Sequence, residues 1–345
     1  MKTMRILVIG GTGVLSHAIA SSAVRAGHEV TIVTNGRGLL PQPDGVRRHL
    51  LVDRQDAPSL TAALRSVAQP DWDLVVDAIC YRETDAAVIC DLIGGQSHHT
   101  VVISSAILYD RSAPQPFRPD SPLAATATLG AYGKGKAGIE RIWSQAWIRD
   151  GHPVTIFRLP HILGRGCEFG AVPLHNRDPG LVSRISNARP VFLADGGRQV
   201  FQTVHNEDVA RVILASCGKR RTFGQIYNCA NSELLTGLNY CEILADLIGM
   251  PLTVREIPAN AVQDSGWGWD LCSISRVLDL TSLREDIGTI PGTPIRESMH
   301  SALAFLIEHR NARSREPGTH LAPVSYTHLR AHETKANLVC RLLLE

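Results

Sequence analysis

At 345 residues, 44% hydrophobic and 20% charged, the chain has the composition of a water-soluble globular protein with room for one large or two modest domains. Its formal net charge is +2 with scattered basic residues, which speaks against nucleic acid as a partner, and no apolar run approaches the ~18 residues of a membrane-spanning helix. A predicted strand from Arg5 leaves no room for a signal peptide, and eight cysteines without a Cys-x-x-Cys pair or clustered histidines predict a reduced, cytoplasmic, metal-free protein.

The apolar run Ile6-Leu7-Val8-Ile9 has the pattern of a strand buried on both faces, and residues 14–26 carry apolar side chains at helical spacing. Between them lies the turn Gly10-Gly11-Thr12-Gly13, running on through Val14 and Leu15. Such a turn aims backbone N–H groups and the positive end of a helix dipole at whatever lies above it, which predicts an anion there, most often a dinucleotide's pyrophosphate. Where the dinucleotide fingerprint has a third glycine for close helix-to-strand packing, this chain has Ser16, small but not equivalent, which either pushes the helix from the strand or is accommodated there.

Further strands are predicted over 29–34, 50–53, 72–79 and 100–105, with helices over 58–67 and 85–93. Strand and helix alternating at this period predict an α/β protein with a doubly wound parallel sheet, whose ligands bind beyond the carboxyl ends of the strands. A proline-rich loop, 112–122, leads to a long helix over 132–149 and a sixth strand over 152–158. Past Pro160 the pattern loosens. Residues 1–163 are therefore expected to form the dinucleotide-binding domain and 164–312 a smaller substrate-binding portion, with 200–230 returning to the main sheet. Within that portion, 164–200 and Trp267-Gly268-Trp269 are expected to shape the pocket, and an amphipathic helix over 295–309 has Pro294 at its first turn. Residues 313–345 read as a disordered or non-native tail, and 324–345 resemble a translated sequencing adapter.

Two later stretches carry chemistry. In Tyr132-Gly133-Lys134-Gly135-Lys136, Tyr132 and Lys136 are four apart and share a helix face, whereas Lys134 points elsewhere. A phenol titrates near pH 10 and a neighbouring ammonium favours the phenolate, so the lysine makes the tyrosine usable as an acid/base. With six tyrosines and five lysines in 345 residues, roughly 0.1 accidental Tyr-x-x-x-Lys pairs are expected. Ser104-Ser105 ends the fifth predicted strand, where a hydroxyl can hold a substrate oxygen during proton exchange.

Together with Asp53, Arg158-Leu159-Pro160 and Val204-His205-Asn206-Glu207-Asp208-Val209-Ala210, these motifs resemble the extended short-chain dehydrogenase/reductases, the NAD(P)-dependent epimerase/dehydratase group, in order from Arg5 to about Ile307. The resemblance implies a Rossmann fold with a nicotinamide cofactor over the sheet. It makes Tyr132 the acid/base, Lys136 the group that lowers its pKa and holds the nicotinamide ribose, and Ser105 the residue that orients the reacting oxygen. Asp53 would meet the adenine, and Ala78, Ile79 and Pro160 would line the cofactor. The long helix resembles the one through which relatives form homodimers.

Three departures narrow the expectation. Thr34-Asn35, followed by Arg37, stands where NAD-choosing members carry an acid for the ribose 2′-hydroxyl, which leans toward NADP. Ala106-Ile107 replace the Asp-Glu pair of the 4,6-dehydratases, which argues against dehydration. Phe201, with Arg198 only nearby, replaces an arginine that clamps nucleotide-sugar diphosphates. The expected activity is hydride transfer to or from a secondary alcohol or ketone carbon of a sugar-like or other small molecule, as reductase or epimerase. The alternative is a non-catalytic NAD(P)-sensing or RNA-associated regulator on the same fold.

Overall fold

Strand β1 (Arg5–Ile9) is uninterruptedly apolar because both its faces are covered: Ile6 and Val8 join one hydrophobic cluster, Leu7 and Ile9 another. The computed structural model describes residues 2–67, 71–169, 180–258 and 274–314; Trp267-Gly268-Trp269 and 324–345 fall outside them. The chain divides into a unit Met1–Phe305 and a segment Leu306–Glu345.

In chain order the first unit contains β1, α1 (Val14–Arg25), β2 (Glu29–Thr34), β3 (Arg48–Leu51), α2 (Ala57–Arg65), β4 (Leu74–Asp77), α3 (Glu83–Ile93), β5 (Thr100–Ser105), α4 (Ala131–Asp150) and β6 (Val154–Leu159). There follow β7 (His161–Leu163), α5 (Leu181–Ser186), β8 (Val191–Ala194), β9 (Val200–Phe201), β10 (Thr203–His205), α6 (Asn206–Ser216), β11 (Gln225–Asn228), β12 (Leu235–Thr236), α7 (Gly237–Ile248) and β13 (Val254–Ile257). Helices Thr281–Ile287 and Ile295–Ser314 come last, the latter beginning one residue after Pro294, whose carbonyl accepts from Ser298 N.

Seven strands make one wholly parallel sheet in the order β11-β6-β5-β4-β1-β2-β3. Helices α1 and α6 bury Ile19, Ala23, Val209 and Ile213 on one face, and α2, α3 and α4 bury Leu60, Ile89, Ile139 and Trp143 on the other. This is the doubly wound α/β architecture predicted from the alternation. Its strand order reverses at β1, so a crevice opens beyond the carboxyl ends of β1 and β4.

The stretch 200–205 forms two strands. Gln202 separates β9, antiparallel to β12, from β10, parallel to β7, and its side-chain amide donates to Asn231 O and accepts from Leu278 N. Of residues 200–230, β11 is the part that joins the seven-stranded sheet, beside β6.

Ser16 does not hold α1 away from β1. It is 1% exposed, and its Oγ accepts from Gly13 N at 3.1 Å, covering a donor at the helix start. There is room because Gly10 has no side chain, since a Cβ on Gly10 would stand 2.7 Å from Ser16 Cβ. Gly10 and Gly11, at φ +117° and +136°, adopt backbone that other residues rarely can. Ser16→Ala is expected to cost about 1–2 kcal/mol of stability, seen as a lower urea midpoint at unchanged m-value.

Below the crevice, Arg54 makes a bidentate ion pair with Asp77 at 2.6 and 3.0 Å, both side chains under 10% exposed, tying the segment after β3 to the end of β4. Removing one partner leaves a buried charge uncompensated, so Asp77→Asn is expected to cost about 3 kcal/mol, read in the same denaturation experiment.

Candidate active site

The carboxyl ends of β4 and β5 meet the start of α4 around one buried ammonium. Lys136, 2% exposed, donates from Nζ to Cys80 O at 2.7 Å and to Ile103 O at 2.8 Å. Two aromatic rings flank it: Nζ lies 5.1 Å from the ring centroid of Tyr81 and 5.6 Å from that of Tyr132. The rings are 6.4 Å apart and tilted by 43°, and both are about half exposed. Burial is the main reason that the Lys136 pKa falls from 10.5 to about 8, with Cys80, Asp77 and Glu140 pulling the other way. Lys134, on the other face of the helix, is exposed.

Local sequence explains how α4 comes so close. A Cβ on Gly135 would stand 2.0 Å from Tyr81 O, and one on Gly138 2.6 Å from a carboxylate oxygen of Glu83. These glycines let the segment after β4 lie against the helix. Further along, Glu140 receives two hydrogen bonds from Arg158, at 2.9 and 2.7 Å, and one from Ser104 Oγ; Arg158 also donates to Pro119 O and lies over the Tyr109 ring. This buried network joins α4 to β5, β6 and the proline-rich loop.

Ser105 is the last residue of β5, partly exposed, two positions beyond the carbonyl that Lys136 grips; its Oγ accepts from Ile107 N at 3.3 Å. Asp53 stands in the loop after β3, where its Oδ1 accepts from Gln55 N, next to the anchored Arg54. Ala78 N reaches back to Ile9 O at 3.2 Å, and Ile79 Cγ2 would meet a Cβ on Gly10 at 3.3 Å, so the β4 loop borders the glycine turn. Pro160, partly exposed, joins β6 to β7.

At the end of β2, Thr34 is buried, its Oγ1 bonded to His49 Nε2 at 2.7 Å and accepting from Gly36 N, while Asn35 and Arg37 are exposed. The segment after Arg37 rests on the glycine turn. Leu40 N donates to Thr12 O at 2.9 Å, and a Cβ on Gly38 would stand 1.9 Å from Thr12 Oγ1.

The turn suits a dinucleotide. Val14 and Leu15 lie in the first turn of α1, where backbone N–H groups have no partner within the helix and no residue is acidic. Sequence reasoning passed over Tyr81, Glu140, Gly38 and the Arg54–Asp77 pair. Only Glu140, four residues after Lys136 on the same helix face, carried a signal in its spacing. Conversely, in the stretch 204–210 His205 caps α6 through Nδ1, and Asp208 accepts from Gly292 N, Thr293 N and Thr293 Oγ1. Those two side chains serve the scaffold.

The chain is similar to 2′-dehydrokanamycin reductase of Streptomyces kanamyceticus, 24% identical over 258 residues, which cover 75% of this chain and 70% of the reductase. Its fold is similar to that of epimerase Mth375 from Methanothermobacter thermautotrophicus, with a TM-score of 0.75 and 17% identity over 91% of this chain and 95% of that one. It is also similar to WbmG of Bordetella bronchiseptica, solved with NAD and UDP, with a TM-score of 0.70 and 19% identity over 89% and 96% of the two chains. The sequence model of the NAD dependent epimerase/dehydratase family matches residues 6–230, and the chain belongs to that family.

Proposed function

We propose that the chain is an NAD(P)-dependent oxidoreductase or epimerase acting at a secondary alcohol or ketone carbon of a sugar-like or other small molecule. The observation that carries this reading is the Tyr132–Lys136 pair, with its ammonium buried between the ends of β4 and β5 and its phenol ring half exposed. Backbone N–H groups of the turn from Gly10 to Leu15 would hold the pyrophosphate, and Asp53, Ala78, Ile79 and Pro160 would border the remainder of the cofactor. A bound nicotinamide would supply the two-electron acceptor or donor. Tyr132 takes the carbinol proton during oxidation and returns it to the carbonyl oxygen during reduction, Ser105 orients that oxygen, and Lys136 favours the phenolate. Ala106 and Ile107, following Ser105, offer no acid for an elimination, so dehydration is not part of the reading.

For the cofactor we favour NADP. No carboxylate ends β2, the Thr34 hydroxyl is already engaged, and the exposed Arg37 follows closely. A cytoplasmic site of action fits the free thiols of Cys80, Cys90, Cys217 and Cys229. We assign a homodimer interface to α4, whose Ile148 is 81% exposed.

Tyr132→Phe is expected to lower kcat by roughly 100-fold or more, on whichever ketone or carbinol a screen identifies, while the NADPH dissociation constant measured by fluorescence stays within about twofold. Retained turnover would remove Tyr132 from the mechanism. In the oxidative direction kcat/KM should fall as pH rises through about 8, because Lys136 then loses the charge that favours the phenolate; Lys136→Met should be slow throughout and lack that limb. Arg37→Ala should weaken NADPH roughly 10-fold and leave NADH within about twofold, a difference expected of one charge-assisted contact to the 2′-phosphate.

A further inference from the structure

The extended segment 275–280 alternates in burial: Arg276, Leu278 and Leu280 face inward, while Ser275, Val277 and Asp279 lie nearer the surface. Its backbone is held on both sides. Arg276 N donates to Val200 O and Leu278 N to Gln202 Oε1, while Phe117 N donates to Val277 O and Gln115 Oε1 accepts from Val277 N. An arginine thus sits rigidly where the pattern calls for an apolar residue. It is 6% exposed, and among the described residues none forms a hydrogen bond or ion pair with its guanidinium.

The other deeply buried arginines differ. Arg54 is matched by Asp77 and Arg158 by Glu140. Burial brings the Arg276 guanidinium down to about 10, and the cation Arg111 acts in the same direction. A desolvated cation is unfavourable until an anion joins it.

The position says which anion would reach it. Leu278 and Leu280, on the same face of the segment, pack with Ala106 and Tyr109, which directly follow Ser105, and Arg111 lies two residues beyond Tyr109. Arg276 also pairs across the backbone with Phe201, while the nearby Arg198 is committed to Glu256 on the surface at 2.9 Å.

We propose that Arg276 anchors an anion subsite at the substrate end of the crevice and takes a phosphate-ester or carboxylate group of the substrate. The proposal rests on reading the loops after β5 as the substrate side of a reaction site, but not on the hydride-transfer chemistry. A guanidinium with no partner among the described residues can bind such a group bidentately and is relieved by it.

The test is thermal unfolding of the full chain, with and without saturating NADPH, titrated with UDP, with galacturonate and with galactose as a neutral control. NADPH fills the dinucleotide's own anion site, so the remaining response reports the second one. UDP or galacturonate should raise the wild-type Tm and galactose should not; a response to UDP alone marks a phosphate-ester subsite, and to galacturonate alone a carboxylate subsite. Arg276→Met and Arg276→Gln should lose that response, keep the NADPH shift and, without anion, unfold at the wild-type temperature or about 2–4 °C above it. The proposal is overturned if neither anion shifts the wild type, if the shift survives in both variants, or if both variants unfold far below the wild type without anion, which would make Arg276 a support of the fold. An anion response without any NADPH response would count against the dinucleotide reading and leave the subsite standing.

Discussion

One buried ammonium sets the geometry of the crevice. Lys136 has left water, and the loss is offset by two backbone carbonyls and two ring faces drawn from three parts of the chain. Cys80 O belongs to the segment after β4 and Ile103 O to the end of β5, so one side chain on α4 fixes two strand ends and the helix together. The contact depends on Gly135, because any larger residue would drive Tyr81 O off the helix. The Tyr-x-x-x-Lys spacing is thus, whatever its chemistry, a packing solution.

Around this centre two buried ion pairs do different work. Arg158 and Glu140, with Ser104, hold α4 against β5 and β6. Arg54 and Asp77 hold the segments after β3 and β4 on the side where the adenine would lie. Each arginine presents a planar fork that a carboxylate matches with two hydrogen bonds, which fixes orientation as well as distance. The loops that would touch ligands are therefore fastened by charge, while the sheet beneath them is held by apolar packing.

The family's motifs divide between chemistry and scaffold. In the glycine turn Gly10 N donates to Val33 O and Gly13 N to Ser16 Oγ, and Ser16 fits within the turn because Gly10 leaves the space. His205 and Asp208, by contrast, spend their hydrogen bonds on the start of α6 and on the turn at Gly292 and Thr293. Arg276 is the reverse case: no motif marks it, and its chemical environment alone sets it apart.

Residues close together in the chain were legible from the sequence. The apolar run 6–9, the glycine turn, the alternation of strand and helix and the four-residue spacing of Tyr132 and Lys136 follow from periodicity and backbone sterics acting over a few residues, and they determined the doubly wound fold and a candidate acid/base pair. Tertiary structure decided what depends on residues far apart in sequence. Tyr81 beside Tyr132, Arg54 on Asp77, Gly38 against Thr12 and the unmatched charge of Arg276 have no local signature, because they arise only when strand ends from separate parts of the chain are brought into one crevice. There the loss of water favours a partner for each buried charge, as Arg54, Lys136 and Arg158 have; among the described residues Arg276 has none.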